Sequence, residues 1–356
     1  MNKNSKILVT GFRGLVGSAI TRKLEKDGYT NLILKDFSDL DMTRQTAVEE
    51  MFAKEKPEYV FLAAAKVGGI MANNNYPADF IYINTMIAAN IIHAAYKNGV
   101  KKLLNLGSSC IYPKFAPQPM KEDALLTSPL EPTNEAYAVA KISAIKMCRY
   151  YNEQYGTNFI SAMPTNQYGS GDNFNMETAH LLPAIMRRFH LAKLLAAGNY
   201  EAIKKDLKTY KLGWNLDDKI DFNDTATIEN ALRQAGVFKD KAVVWGDGSV
   251  YRELMASDDL ADACVYLMAH KNYADTGELV NITAGTDLQL KDLFELVKKA
   301  VGYEGKIEYD ASKPNGTPRK LMCAFKIRSL GWQPKIELRD GIAAFYKWYV
   351  NAQLQP

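Results

Sequence analysis

VTGFRGLVGSAI, residues 9–20, decides the fold. Gly11, Gly14 and Gly17 stand between a short apolar run and a helical pattern. Glycine permits a tight turn and lets the backbone approach a pyrophosphate, and the helix that follows offers free N–H groups and its positive dipole end. The spacing is GxxGxxG rather than GxGxxG. Strand, glycine turn and helix together predict a dinucleotide site.

The same alternation continues on either side. KILVTG, NLILKD, YVFLAAA, KKLLNLGSS and FISAMPTN are short apolar runs, separated by helical patterns near 15–27, 43–55, 76–98 and 134–155. Continuous apolar strands are expected where both faces of a parallel sheet are covered. The expected fold class is therefore α/β, a doubly wound Rossmann sheet over 1–164 that binds a dinucleotide. Past Pro164 the loops lengthen in NQYGSGDNFN, and AVVWG, GELVNIT and KIEYD are isolated strands. Residues 165–356 are expected to form a smaller α/β substrate region, with some segments returning to the first sheet. The Lys- and Asp-rich stretch 194–241 predicts two or three short helices, one ending at Gly236.

Composition excludes several classes. The 356 residues are 47% hydrophobic and carry a net charge of +4, with no long basic run. Nucleic-acid binding has no electrostatic support. No apolar run approaches the ~20 residues needed to span a membrane, and the N-terminus shows no signal-peptide pattern. Cys110, Cys148, Cys264 and Cys323 form no CxxC pair, so no metal site and no disulfide is expected, and a cytoplasmic location is.

Arg13 and Lys35 could meet a 2′-phosphate, whereas Asp36 suits a free 2′-hydroxyl. Two cations against one carboxylate favour NADP(H). Asp41 stands where an adenine contact or a cap of the next helix is expected. In NEAYAVAK, Tyr137 and Lys141 share one helix face. An ammonium beside a phenol is expected to lower the tyrosine pKa, so the pair could move a proton while hydride transfers. Ser108, after a strand, could hold a carbonyl. Cys110 follows two residues later, and an extended backbone would point both side chains the same way.

These motifs together resemble an extended short-chain dehydrogenase/reductase. AAAKVGGI, NYPADFIY, GSSCIYPK, EPTNEAYAVAK, MPTNQYG, VVWGDGS, DDLADA and SKPNGTPRK resemble, more narrowly, the GDP-L-fucose synthase family. That family couples 3,5-epimerisation to NADPH-dependent 4-reduction of a GDP-4-keto-6-deoxy sugar. The resemblance implies a reductive triad of Ser108, Tyr137 and Lys141, with Cys110 as the epimerisation base and His180 as its acid partner. Arg188 and Arg252 match phosphate-binding positions, and Lys313 and Arg319 are weaker matches. Ala64 falls on the cofactor side, and Ser109, Asn166 and Trp245 on the substrate side. A homodimer through the helices near 76–98 and 134–155 is also implied. Bottom-up chemistry agrees: a 4-ketone acidifies C3–H and C5–H, and a thiol and an imidazole both titrate near neutrality.

Other residues have plainer readings. His93 is expected to be structural or at an interface, His190 and His270 to lie near helix ends, and Ser257 to be an N-cap. No acid follows Ser109, which argues against a 4,6-dehydratase. An intact triad argues against a non-catalytic cofactor-binding protein. The chain departs from the family pattern at Gln167 (usually Leu), at Met255-Ala256-Ser257 (usually Leu-His-Val) and at Cys323 (usually Asp). It also carries extra length in 194–241, either a surface insertion or a wall for a different sugar. A GDP-4-keto-heptose and a reductase-only activity form the alternative.

Overall fold

The computed structural model describes residues 1–313 and 317–352. The chain divides into two units. Unit 1 is Met1–Gly171, Glu253–Thr286 and Leu321–Ile336; unit 2 is Asp172–Arg252, Asp287–Lys320 and Glu337–Pro356.

In unit 1 the early elements are β1 (Ile7–Thr10), α1 (Leu15–Lys26), β2 (Leu32–Lys35), α2 (Gln45–Glu55), β3 (Tyr59–Leu62), α3 (Ile70–Asn75), α4 (Pro77–Lys97), β4 (Lys102–Leu106), α5 (Glu135–Tyr155), β5 (Phe159–Pro164) and β6 (Asn166–Tyr168). Unit 2 contributes α6 (Leu181–Ala196), α7 (Tyr200–Thr209), α8 (Thr225–Gln234), β7 (Lys241–Trp245) and β8 (Tyr251–Arg252). The chain then re-enters unit 1 with β9 (Leu254–Ala256), α9 (Ser257–His270), α10 (Tyr273–Thr276) and β10 (Val280–Ile282). It closes with β11 (Leu288–Gln289), α11 (Leu290–Val301) and β12 (Lys306–Asp310) in unit 2, α12 (Phe325–Ser329) in unit 1, and α13 (Leu338–Ala352) in unit 2.

Unit 1 is built on a parallel sheet of six strands among the described residues, in the order β10-β5-β4-β3-β1-β2. The doubly wound expectation holds. The segment GELVNIT returns as the edge strand β10, beside β5. Strand β1 is buried throughout because helices cover both faces. On one face α1 packs against α9, through Ile20, Leu24, Leu260 and Cys264. On the other, α2, α4 and α5 close over Phe52, Val60, Ile91 and Leu103. Each such side chain contributes roughly 1.5–3 kcal/mol by leaving water. The strand order reverses between β1 and β3, and ligands of such sheets bind beyond the carboxyl ends of the strands at that point.

Strand β6 pairs in parallel with β9, setting Gln167 opposite Met255 and Tyr168 opposite Ala256. Two departures that are far apart in sequence therefore share one small sheet. Ser257 is not the N-cap of α9: Ala256 takes that position, and the Ser257 hydroxyl is buried without a partner among the described residues.

In unit 2, α6 packs on α7 and α11, and α11 on α13. The 194–241 stretch forms α7 and α8, and Gly236 follows α8 with φ +80, a conformation glycine adopts without strain. Ile203, Leu207, Leu212, Ile228 and Leu232 are buried. That overturns the surface-insertion reading, since the segment builds part of the unit's core. His190 is not near a helix end either; it lies within α6, buried, with Nδ1 2.9 Å from the Tyr346 hydroxyl. His270 is the last residue of α9, and His93 Nδ1 lies 2.8 Å from the Tyr151 hydroxyl.

Candidate active site

In unit 1 the glycine turn is shaped by close packing. Gly11 has φ +70, and a Cβ there would fall 2.8 Å from Ala64 Cα. A Cβ at Gly17 would fall 2.1 Å from the Gly11 carbonyl oxygen. Thr10 Oγ1 accepts from the N–H groups of Ala63 and Ala64, tying the ends of β1 and β3. Gly14 is the N-cap of α1, no side chain caps the helix, and its first turn holds no acid. Uncapped N–H groups, the dipole end and a backbone stripped of side chains fit a dinucleotide pyrophosphate.

Arg13 and Asp36, which argued in opposite directions, pair with each other at 2.7 Å, and Arg13 also donates to Ser38 Oγ. The Ser38 hydroxyl and N–H, followed by Arg13, hold the Asp36 carboxyl below its usual value. Lys35 ends β2. Asp41 does not cap α2, whose N-cap is Arg44; it accepts from the hydroxyl and N–H of Thr43 at 2.6 and 3.0 Å.

Strand β4 leads to Ser108, which is extended, and then to a tight helical turn over Ser109–Ile111. The backbone is thus not extended through Cys110, and the expected side-by-side alternation is replaced by a turn. Ser108 Oγ accepts from the Cys110 N–H at 3.2 Å. Helix α5 presents Tyr137 to this turn. Its phenol hydrogen-bonds with Ser108 and lies near Cys110. The ring packs edge-on against Phe80, with centroids 6.3 Å apart. Lys141 is buried, and Nζ donates to Leu106 O at 2.8 Å, 5.7 Å from the Tyr137 ring centroid.

The expected lowering of the Tyr137 pKa is not found. Burial, and then the neighbouring Cys110, push the phenol above its usual value, outweighing the Ser108 hydrogen bond. Lys141 is itself pushed down to about 8 by burial. Desolvation outweighs the ammonium because Lys141 is spent on a carbonyl rather than on the phenol.

Ser109 is buried, and Asn166 Nδ2 donates to Glu253 O at 2.9 Å. Asn134, Arg187 and Glu253 drew no attention in the sequence and still organise their surroundings. Asn134 Nδ2 lies 3.6 Å from Cys110 Sγ. The buried Glu253 carboxylate accepts from Thr283 Oγ1, Gly285 N and Met322 N. Each adjoins a motif residue, yet no local pattern distinguishes a buried polar side chain from an exposed one.

In unit 2, His180 is the N-cap residue of α6 without a side-chain cap. The residue is exposed overall, and the packing around its ring lowers the imidazole pKa by desolvation. Arg188 is buried, donates Nε to Ala235 O at 3.2 Å, and is pushed down to about 10. Arg252 donates to the carbonyls of Tyr251 and Thr317, and burial lowers it too. Neither forms an ion pair among the described residues. A buried guanidinium, Arg188, and a half-buried one, Arg252, each with a carbonyl partner and no ion pair among the described residues, suit an anion. Arg319 differs: it binds Asp287 bidentately at 2.7 and 2.9 Å. Lys313 Nζ sits 5.6 Å from the Trp245 ring centroid, and Trp245 is 44% exposed. The middle of SKPNGTPRK, 314–316, lies outside the described residues. Among the described residues no helix is long and apolar enough to cross a membrane.

The model of the NAD dependent epimerase/dehydratase family matches residues 7–209 and 213–283. The chain is 52% identical over 350 residues to GDP-L-fucose synthase 1 of Arabidopsis thaliana, covering 98% of this chain and 94% of that one. It is 44% identical over 354 residues to the GDP-L-fucose synthase of Escherichia coli (strain K12), covering 98% and 97%. Among solved structures, a GDP-6-OMe-4-keto-L-xylo-heptose reductase from C. jejuni superposes with a TM-score of 0.90 at 41% identity, covering 99% of each chain.

Proposed function

The chain belongs to the NAD dependent epimerase/dehydratase family and, within it, to the GDP-L-fucose synthases, and from that premise we propose that it epimerises C3 and C5 of GDP-4-keto-6-deoxy-mannose and reduces C4. The observation that carries the reading is the meeting of Ser108, Cys110 and Tyr137 around one turn at the end of β4. NADPH, when bound, supplies the hydride that C4 receives. Gly11, Gly14, Gly17 and the α1 N-terminus hold its pyrophosphate, Arg13 and Lys35 its 2′-phosphate, and Asp41 and Ala64 its adenosine end.

Ser108 holds the ketone oxygen by a hydrogen bond. Tyr137 gives that oxygen its proton as the carbonyl becomes an alcohol. A raised pKa keeps the phenol protonated at neutral pH, which is the state a proton donor needs. Lys141 offers positive charge to the phenolate left behind. Cys110 removes the acidified C–H proton, leaving its electron pair in the enolate. His180 returns a proton to the opposite face, and its lowered pKa makes the imidazolium a stronger acid. Ser109 and Asn166 line the sugar side. Arg188 and Arg252 bind the diphosphate, with Trp245 and Lys313 at the nucleotide; Arg319 is the weakest candidate because Asp287 occupies it.

The heptose-reductase likeness favours a second reading: C4 reduction alone, on a GDP-4-keto-heptose. The protein works as a homodimer through α4 and α5, which leave Tyr82, Val139 and Tyr150 exposed. Its place is the cytoplasm, in keeping with four cysteines that form no disulfide. NADPH oxidation is the test, with each GDP-4-keto sugar offered separately. Turnover of the hexose with solvent deuterium at C3 and C5 supports the first reading. Turnover of the heptose alone supports the second, and no turnover of either defeats both.

A further inference from the structure

We infer that Asn134 is the positioning residue for Cys110, an amide that donates to the sulfur and stabilises the thiolate. This deepens the epimerase reading and rests on it for the proton transfer, although not for the contact itself.

Asn134 occupies the N-cap position of α5, where an asparagine side chain ordinarily accepts from the second or third helical N–H. Here it makes no cap hydrogen bond. Its Nδ2 instead lies 3.6 Å from Cys110 Sγ. Its Oδ1 is buried and accepts from no group among the described residues. A side chain that forgoes its cap and leaves an acceptor unpaired is held in place by what its other end touches. The Ser109–Ile111 turn packs against α5, so the sulfur at the Asn134 amide also lies near the start of that helix, where the dipole favours an anion. Among the described residues Tyr137 lies near Cys110, and Lys141 stands 5.7 Å from the Tyr137 ring centroid. Tyr137 stays protonated near neutrality, and Lys141 is turned to Leu106 O. The amide, 3.6 Å from the sulfur, is a donor that offsets its negative charge.

In the reaction the sulfur takes the proton from the carbon beside the ketone, the electron pair passes into the enolate, and Asn134 loses a charged acceptor for a neutral one. The Asn134 Oδ1 remains available to a sugar hydroxyl, which satisfies it when the substrate binds.

The experiment measures alkylation of Cys110 by iodoacetamide in the full chain, peptide by peptide, from about pH 6 to about pH 10. In Asn134→Ala the midpoint is expected to rise by about one pH unit, so that the rate at neutral pH falls about tenfold. Asn134→Asp keeps a good capping residue but has no donor, and is expected to shift at least as far. An unchanged midpoint in both variants overturns the proposal. A second measurement follows the reaction in D₂O with NADPH and GDP-4-keto-6-deoxy-mannose. Both variants are expected to lose deuterium incorporation at C3 and C5 about tenfold relative to C4 reduction. Equal losses of exchange and reduction would count against a role at the thiol. If the wild type oxidises no NADPH, the reading of the reaction fails while alkylation still decides the role of Asn134.

Discussion

Arg187 and Asp206 meet at 2.9 Å with neither side chain exposed to solvent. Arg187 also donates to the carbonyls of Phe174, Lys211 and Tyr210, and the Tyr349 hydroxyl donates to Asp206. The guanidinium thereby ties the helix that begins after His180 to α7 and to the loops at Phe174 and 210–211, and Asp206 carries the tie on to α13. Arg187→Ala leaves the buried Asp206 carboxylate without its counter-charge and is expected to cost about 3–5 kcal/mol. The double change Arg187→Met with Asp206→Leu is expected to recover most of that loss, because it removes both charges at similar volume. Urea unfolding followed by tryptophan fluorescence decides; a single variant as stable as the wild type would contradict the account.

Tyr137→Phe removes the proposed proton donor and leaves the ring packed against Phe80. Reduction at C4 is expected to fall by about 10²–10⁴. NADPH binding, read by fluorescence titration, should persist. Undiminished turnover would assign the proton to another group.

Burial pushes the Lys141 ammonium down to about 8, below the usual lysine value of about 10.4. Below about pH 8 both folded and unfolded chains hold the proton, and burial of the charge costs stability. Between the two values the unfolded chain binds more protons, so the contribution of Lys141 to stability rises with pH. Lys141→Met abolishes that slope. The difference between wild-type and variant urea midpoints should therefore change across this window, with the variant relatively more stable on the acid side. A difference that stays flat from neutral pH to about 10.5 would remove the burial argument.

Gly17→Ala places a methyl group 2.1 Å from the Gly11 carbonyl oxygen and 2.9 Å from Phe12 Cα, so the backbone of the turn must shift. NADPH affinity is expected to fall at least about tenfold, since the turn must open to admit it. Arg13→Ala keeps the turn intact and should weaken NADPH far more than NADH, because only the former carries the 2′-phosphate. Equal losses for the two cofactors would place Arg13 in the structure rather than in the choice between them.

Gln167 carries a buried carbonyl oxygen without a partner among the described residues, opposite Met255. Gln167→Leu removes that cost and is expected to raise stability by about 1 kcal/mol. A loss of activity alongside that gain, read as a higher KM for the sugar, would mark the amide as a substrate contact; a lower melting temperature would show that its donor to Thr165 O matters more.

Much of this protein is legible from its sequence because the relevant signals are local. A buried parallel strand needs an unbroken apolar run, a pyrophosphate turn needs glycine, and Tyr137 and Lys141 share a face because the helical period puts them there. Those rules are short-range, so the sheet follows from its separate apolar runs, the turn from 9–20, and the proposed reductive residues from the stretches around Ser108 and 134–141. Only the tertiary structure decided the rest. It returned Val280–Ile282 to the first sheet, put 194–241 into a core, paired Arg13 with Asp36, and raised Tyr137 where its neighbour in sequence argued for lowering. Asn134, Arg187 and Glu253 belong with these. The physical reason is common to all of them: the energy of a polar group depends on which partners and how much solvent surround it, and those are supplied by segments distant in the chain.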